Sequence, residues 1–321
     1  MSNKTHEHDH AEGHDHAGHD HAKGQAHHGH SHGIEGKGDW QVAAAVGTNL
    51  TLTLAQIVGG IMAGSVALIA DALHNLSDAL ALAIAFVARR IARRPANPTM
   101  SFGYGRAEVV AALVNYVTLI VICVWLAYAA AERLFAPPPV EGGIVMILAA
   151  VGLVINSLTA LLTFRLARDS VNIRAAFLHN LSDAGTSLAV LISGALVWYF
   201  GWTIVDPLIT IAISLWILWH CFTEIGPVIR ILMLGAPVGI DEGAVRAAIL
   251  AEGVADVHHI HLWQIDEKRS SLEAHLVLPV GTEGATAVRR VKAMLARRFG
   301  IGHSTLEVET AGAGCAGAAC A

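Results

Sequence analysis

Long apolar stretches separated by short polar connections fill the chain between about residues 40 and 226. Six of them are roughly 20 residues long or more, which is the length that a helix needs to cross the ~30 Å hydrocarbon core of a bilayer. Their approximate limits are 41–63, 66–88, 108–131, 143–164, 175–200 and 203–225. A soluble protein can bury one or two such helices, whereas six in succession predict a membrane all-α bundle of six transmembrane helices.

The pattern changes at about Ala236, beyond which polar and apolar residues alternate. The predicted elements are a helix that Asp241 caps and that runs to about Glu252, strands from Val257 to Ile265 and from Leu272 to Leu278, an amphipathic helix from Thr286 to Phe299, and a strand from Ser304 to Glu309. The order αββαβ predicts a small cytosolic α+β domain with its helices on one face of a sheet.

The two ends of the chain differ in composition from both of these parts. Residues 1–38 carry eleven of the nineteen histidines and few apolar residues, which predicts a disordered cytosolic tail. This tail either collects metal ions or is a solvated segment without a functional role. It also lacks the apolar core of a signal peptide. The predicted domains are therefore the His-rich tail at 1–38, the transmembrane domain at 39–230, the cytosolic domain at 236–310 and a flexible tail at 311–321.

Composition supports a membrane protein and limits its other functions. The hydrophobic content is 54% and the mean hydropathy is +0.52, far from an ordinary soluble domain. The formal net charge of −5 indicates no particular partner, and nothing resembles a nucleic-acid footprint. Cys123 and Cys221 lie in apolar spans and are interpreted as packing residues. A reducing cytosol disfavours a disulfide between Cys315 and Cys320, which are candidate thiolate metal ligands instead.

Arginines mark one side of the membrane. The connections after the second, fourth and sixth spans carry Arg89, Arg90, Arg93, Arg94, Arg106, Arg165, Arg168, Arg174 and Arg230. The connections on the opposite side carry only Arg133. Because Lys and Arg accumulate in cytoplasmic loops, both termini are predicted to be cytoplasmic. The chain is then a multi-pass membrane protein, located in the inner membrane if the cell is bacterial.

One five-residue sequence occurs twice inside the apolar stretches. His-Asn-Leu-Ser-Asp spans residues 74–78 in the second span and residues 179–183 in the fifth. Each copy places an imidazole and a carboxylate four residues apart, so His74 and Asp78 share one helix face, as do His179 and Asp183. The loop charges make the two spans antiparallel. Each copy's His should therefore lie near the level of the other's Asp, so that four side chains interleave around one ion.

Ionisable groups at membrane depth are costly, at about 2.5–3.5 kcal/mol for an Asp at a helix centre, and indicate function by default. Two His and two Asp suit a tetrahedral divalent ion, Zn²⁺ first, with Co²⁺ and Cd²⁺ as alternatives. These ligands must lose protons before metal binds, which predicts exchange of the metal for protons. Asp71 lies one turn before His74 and is predicted to be an outer-sphere or exit-path group rather than a ligand.

The residues resemble those of the cation diffusion facilitator family, most closely its zinc-transporting branch. The matching stretches are Gly64 to His74 running on to Asp78, Ser101 to Arg106, Asn172 to His179 running on to Asp183, Gly201 to Thr203 with Asp206 and Pro207, and the cytosolic Val257, His258, His261, Leu262 and Trp263. The resemblance covers nearly all of the chain except the His-rich start.

The resemblance implies a ferredoxin-like cytosolic domain, a homodimer, and export of zinc driven by inward proton movement through alternating access. It also implies that His74, Asp78, His179 and Asp183 form the transport site. In this family a His at the first position of the second-span motif goes with a preference for zinc over cadmium.

The resemblance further implies a regulatory zinc site in the cytosolic domain. The matching positions are His258, His275, and Glu307 or Glu309, with His259 and His261 close by. Glu307 stands where the family has a His on the final strand, which disfavours a full binuclear site. The alternative is that these histidines are ordinary surface residues of the strands.

Three other functions compete with zinc export. An intramembrane metallohydrolase would also place His and Asp on spans, but the His-Glu-x-x-His pattern of such enzymes is missing from the sequence. A membrane-anchored zinc sensor or storage protein would need only the cytosolic domain and the His-rich tail. A Mn²⁺ or Fe²⁺ transporter could use the same fold.

Overall fold

The computed structural model describes residues 39–166 and 171–310 of the chain. Six long helices are followed by a smaller α+β unit, in the order that the hydrophobic pattern predicts. The His-rich segment 1–38 and the segment 311–321, with Cys315 and Cys320, lie outside the described residues. The functions suggested for those two segments stay predictions.

The six helices account for the apolar stretches of the sequence. They are α1 (Asp39–Ala63), α2 (Val66–Ala92), α3 (Arg106–Phe135), α4 (Gly142–Leu166), α5 (Val171–Phe200) and α6 (Val205–Leu232). Within the described residues, α2 to α6 are long and apolar enough to cross a membrane, and α1 contributes a shorter apolar stretch, Asn49–Ala63. The protein is therefore an integral membrane protein, as predicted.

The helices pack in pairs around a common interior. α4 lies along α5, α3 lies along α6, and α2 contacts α1, α3, α5 and α6. The shared core includes Leu68 of α2, Val145 of α4 and Val190 of α5, each fully buried. Cys123 and Cys221 belong to the same core, in agreement with their interpretation as packing residues. The central position of α2 brings its polar face into the bundle, against α5.

Glycine allows the backbones of α4 and α5 to approach closely. A Cβ atom at Gly194 would lie 2.8 Å from the backbone nitrogen of Met146 and 3.1 Å from the carbonyl oxygen of Gly142. Small residues of this kind are typical of contacts between membrane helices, where packing rather than the hydrophobic effect holds helices together. The same helix contains Gly185, where an added Cβ would meet no atom within 4 Å.

Gly194→Ala is therefore expected to destabilise the protein, because its methyl group must push two helix backbones apart. Overpacking of this kind typically costs about 1–3 kcal/mol, which outweighs the ~0.5–1 kcal/mol that alanine gains over glycine in a helix. Gly185→Ala is the matched control and should leave the melting temperature in detergent unchanged or raised. Equal melting temperatures for the two variants would contradict the close approach of α4 and α5.

The first turn of α2 is held by a carboxylate from another helix. Ser65 is the N-cap residue of α2, and its hydroxyl lies 2.5 Å from Oδ1 of Asp206, at the start of α6. Oδ2 of Asp206 accepts a hydrogen bond of 2.8 Å from the backbone N–H of Val66. On the other side, the Arg133 guanidinium donates to the carbonyl oxygen of Gly64. These contacts fix the N-terminus of the helix that carries His74 and Asp78.

The cytosolic unit is a three-stranded sheet covered by two helices. Its elements are α7 (Glu242–Ala251), β1 (Asp256–Gln264), β2 (Ser270–Leu278), α8 (Gly284–Phe299) and β3 (His303–Thr310). The sheet order is β1-β2-β3, with β1 and β2 antiparallel and β2 and β3 parallel. Asp241 caps α7 as predicted, accepting from the N–H of Ala244 at 2.8 Å. The α+β class is confirmed, while the ferredoxin-like assignment stays a prediction.

One irregularity shapes β1. His259 has a φ of 53°, in the left-handed region, and the pairing with β2 shifts register between His258 and His261. A bulge of this type inserts an extra residue into one strand and redirects its side chains. The bulge stacks the His259 ring on the His275 ring, with centroids 4.8 Å apart. His258 pairs directly with His275 across the strands, and their ring centroids are 5.4 Å apart. Three imidazoles therefore meet at the centre of the sheet.

The two parts of the protein are joined by arginines. Arg106, the first residue of α3, donates to the carbonyl oxygens of Ile265 and Gln264 at the end of β1. Arg269, in the β1–β2 turn, donates to the carbonyl oxygen of Phe102 and to the carboxylate of Asp266. Partial burial raises the pKa of Asp266, but hydrogen bonds from Arg269 and from the backbone amide of Lys268 outweigh it and hold this pKa below its usual range. Asp266 is thus ionised at any physiological pH, and this junction keeps its ion pair.

Candidate metal centre

Four side chains of α2 and α5 converge inside the bundle. His74 Nε2 lies 3.3 Å from Asp183 Oδ1, and His179 Nε2 lies 3.4 Å from Asp78 Oδ2. Within each helix, the same nitrogens lie 3.7 Å from Asp78 Oδ2 and 3.6 Å from Asp183 Oδ2. Each His therefore lies closer to the Asp of the other helix than to its own, which is the interleaving expected of antiparallel copies. We call these four residues the intramembrane cage.

The spacing within the cage fits a tetrahedral ion. Nitrogen and oxygen ligands about 2.0–2.1 Å from a zinc ion at tetrahedral corners lie about 3.3–3.4 Å from one another. The four distances measured across the cage, 3.3 to 3.7 Å, are close to that value. Ligand atoms of His74, Asp78 and Asp183 all lie within 4.8 Å of one another. The His74 and His179 rings meet edge to face, with their centroids 6.3 Å apart.

Burial differs between the two ends of the cage. The side chains of His74 and Asp183 are 13% and 8% exposed, whereas those of His179 and Asp78 are 38% and 28% exposed. Asp78 is the later residue on α2 and His179 the earlier on α5, so both lie toward the end of the bundle from which the cytosolic domain extends. The pair nearer that end is therefore the more exposed of the two.

Within the described residues, Asp71 accepts its hydrogen bonds from side chains outside the cage. Its carboxylate is fully buried and lies 2.9 Å from Thr186 Oγ1, 3.2 Å from Ser187 Oγ and 3.2 Å from Gln56 Nε2. Asn156 of α4 donates to Ser187, which extends the network to a fourth helix. The role of Asp71 as an outer-sphere or exit-path group stays a prediction. The neutral partners of Asp71 are marked in the sequence only as polar residues within apolar spans.

A second cluster lies in the cytosolic domain. His258, His275 and Glu309 bring potential metal ligands within 4.8 Å of one another. His275 Nδ1 is 2.8 Å from Glu309 Oε1, and His258 Nε2 is 3.4 Å from Glu309 Oε2. Glu307 lies on the other side of the His275 ring, 3.5 Å from Nε2, with its side chain 67% exposed. Of the two glutamates that the sequence suggests, Glu309 is therefore the one within the cluster.

Two family models match the chain along almost its whole described length. Residues 42–233 match the model of the cation efflux transmembrane domain. Residues 237–311 match the model of the cation efflux protein cytoplasmic domain. The first match contains the intramembrane cage, and the second contains the cluster of His258, His275 and Glu309.

Curated proteins from several bacteria are similar over most of the chain. The metal cation efflux system protein CzcD of Cupriavidus metallidurans is 35% identical over 263 residues, covering 81% of this chain and 83% of CzcD. The zinc transporter ZitB of Escherichia coli is 34% identical over 268 residues, covering 83% and 85%. The cadmium, cobalt and zinc/H⁺-K⁺ antiporter of Bacillus subtilis is 33% identical over 261 residues, covering 79% and 84%.

Proposed function

The chain belongs to the cation efflux family, and we propose that it exports Zn²⁺ from the cytosol in exchange for protons. Family membership makes it a membrane transporter of metal cations rather than an enzyme. The observation that carries the finer proposal is the intramembrane cage, in which His74 lies 3.3 Å from Asp183 and His179 lies 3.4 Å from Asp78. We take Zn²⁺ as the transported substrate, with Co²⁺ and Cd²⁺ as related substrates.

The donor set supports this choice of metal. Two imidazoles and two carboxylates at tetrahedral spacing suit zinc, whereas Mg²⁺ and Ca²⁺ need six or more oxygens. The two carboxylates balance the charge of the ion, so that the loaded cage is neutral inside the bilayer. A neutral loaded cage avoids most of the cost of carrying a divalent charge through hydrocarbon.

The same geometry couples metal movement to protons. When the ion leaves, His74 faces Asp183 and His179 faces Asp78 at hydrogen-bonding distance, so each His–Asp pair can hold a proton in place of the metal. When metal enters, the imidazole nitrogens must give up those protons to coordinate it. Protons taken up on the outer side thus displace the ion, and the protonated pairs return to the cytosolic side.

We infer the direction of transport from the more exposed end of the cage. We place both termini in the cytoplasm, because the arginine-rich connections lie on the side of the cytosolic domain. Ions then load from the cytosol past Asp78 and His179, the more exposed pair. Release outward requires the buried hydrogen bonds of Asp71 to separate. We also propose a homodimer and, in a bacterial cell, location in the inner membrane.

Transport by purified protein in vesicles tests this proposal. Proteoliposomes containing a zinc-sensitive dye are given an outward proton gradient, a potassium gradient of either direction, or neither. We expect zinc uptake that follows the proton gradient and acidification outside that accompanies it. Zinc uptake that ignores the proton gradient would contradict proton exchange, and no uptake by dimeric, folded protein would favour a zinc sensor or storage protein. Competition by Mn²⁺ or Fe²⁺ with zinc uptake tests the remaining alternative, a transporter of Mn²⁺ or Fe²⁺.

The cytosolic cluster is proposed as a second, regulatory zinc site. His275→Ala removes the ring that lies between Glu309 and the other imidazoles, so we expect the protein to lose cytosolic zinc while the cage still binds it. Isothermal titration of His275→Ala should show one fewer zinc site per chain than wild type. His303→Ala, on β3 but outside the cluster, is the matched control and should keep the wild-type stoichiometry. An unchanged zinc stoichiometry in His275→Ala would contradict zinc binding by the cytosolic cluster.

A further inference from the structure

An open cavity lies where the membrane bundle meets the cytosolic domain. Its volume is about 1110 Å³, and its walls come from both parts of the protein. They are the cytosolic end of α2, the connection from α2 to α3, the β1–β2 turn and the link from α8 to β3. The cavity is separate from the intramembrane cage and from the cluster of His258, His275 and Glu309, since none of those residues lines it.

Positive charge predominates in the cavity wall. The end of α2 and the two residues after it contribute Arg89, Arg93 and Arg94, and the β1–β2 turn contributes Lys268 and Arg269. These five fixed positive charges face three carboxylates, those of Glu108, Asp266 and Glu267. Asp266 is already paired with Arg269 at 2.7 Å, which leaves the other four cations facing two carboxylates.

The three arginines at the end of α2 and just after it lack carboxylate partners within the described residues. Arg89, Arg93 and Arg94 form no ion pair there, although they lie within six residues of one another. Like charges so close repel each other, and an anion between them would relieve the repulsion. Guanidinium groups match phosphate in particular, because their planar donors can bind two of its oxygens at once.

The level of the cavity points to the source of that phosphate. Arg89 lies two residues after Val87 and three after Phe86, whose apolar side chains are 56% and 72% exposed on the outside of the bundle. The arginines therefore begin where the apolar span ends, which is the depth of the lipid headgroups. Basic residues just cytoplasmic of a membrane helix, and basic pockets beside such helices, are recognised binding sites for anionic lipids.

We propose that this cavity binds the phosphate group of an anionic phospholipid from the cytoplasmic leaflet. The headgroup contacts Arg89, Arg93 and Arg94 and reaches Lys268 of the cytosolic domain, while the acyl chains lie along Phe86 and Val87. The lipid then links α2, which carries His74 and Asp78, to the β1–β2 turn. Free phosphate has the same charged group but has no acyl chains to pack against Phe86 and Val87, so it should bind more weakly.

Lipid titration of the full-length protein in detergent tests the proposal. Phosphatidylglycerol, phosphatidylcholine and inorganic phosphate are added separately, and the melting temperature and the number of bound lipids by native mass spectrometry are recorded. Wild type should bind and be stabilised by phosphatidylglycerol alone. Arg93→Gln and Arg94→Gln should each weaken phosphatidylglycerol binding about fivefold, the effect of one basic residue at a membrane surface.

Arg90→Gln is the matched control, because Arg90 belongs to the same cluster of arginines in the sequence but does not line the cavity. It should bind phosphatidylglycerol as wild type does. Equal weakening in Arg90→Gln and in Arg93→Gln and Arg94→Gln would overturn the proposal in favour of diffuse charge attraction. Equal stabilisation by phosphatidylcholine would also overturn it, and so would stabilisation by inorganic phosphate with no added effect of lipid. Equal melting temperatures of all variants without lipid establish that folding is intact.

Discussion

Asp183→Asn is expected to abolish zinc export while the bundle remains folded. The substitution keeps the shape of the side chain but removes one of the two negative charges that balance the ion in the cage. Loss of an outer-shell partner of a metal typically costs about 10- to 100-fold in affinity or activity, and loss of a charged ligand should exceed this. Initial rates of zinc uptake into proteoliposomes measure the effect.

The control for Asp183→Asn is Ser182→Ala, on the same helix turn but outside the cage. Its uptake rate should equal that of wild type, and both variants should keep the wild-type melting temperature. Asp78→Asn should reproduce the loss, because Asp78 pairs with His179 as Asp183 pairs with His74. Transport by Asp183→Asn within twofold of wild type would mean that the ion passes elsewhere.

Asp206→Ala is expected to reduce stability strongly without changing the ligands of the cage. The carboxylate is 1% exposed and accepts hydrogen bonds from the Ser65 hydroxyl and from backbone N–H groups of Val66 and Ala67. Its removal leaves these donors unpaired in an apolar interior, where each buried unsatisfied group costs about 1–3 kcal/mol. We expect a lower melting temperature in detergent and a smaller yield of folded protein in the membrane.

Two comparisons separate this capping role from metal binding by Asp206. Ser65→Ala removes one donor and leaves the carboxylate bonded to the backbone, so it should lower the melting temperature less than Asp206→Ala does. Folded Asp206→Ala protein should bind zinc at the cage with wild-type stoichiometry. A loss of one zinc ion per chain, at an unchanged melting temperature, would make Asp206 a ligand and would contradict the capping role.

The sequence alone predicts the parts of this protein that depend on local pattern. The apolar stretches predict the order of the helices, and Asp241 caps α7 because an N-cap needs only a side chain and the amide three residues later. The repeated His-Asn-Leu-Ser-Asp motif predicts the interleaving of His74 with Asp183, since loop charges determine the relative direction of the two spans. Each of these inferences uses periodicity or charge that can be read along the chain.

Contacts between distant residues could not be predicted in this way. Ser65 and Asp206 are separated by 141 positions, and nothing local indicates that a carboxylate of α6 caps α2. The partners of Asp71 come from α1 and α5 and are neutral residues, so no charge pattern along the chain indicates them. The left-handed conformation of His259 is also unexpected, because glycine usually occupies that region. The bulge it creates explains why the His259 ring joins those of His258 and His275.

X-ray absorption spectroscopy at the zinc edge, on protein that lacks the ligands of the cytosolic cluster, tests directly whether the intramembrane cage binds zinc. The sample is His258→Ala, His275→Ala protein without residues 1–38, loaded with one zinc ion per chain. We expect four nitrogen or oxygen neighbours at about 2.0–2.1 Å, with outer-shell scattering from two imidazole rings, as His74, His179, Asp78 and Asp183 require. Asp183→Asn in the same background should lose this signal. Sulfur neighbours at about 2.3 Å, or a spectrum that Asp183→Asn leaves unchanged, would contradict the intramembrane cage as the site of the transported ion.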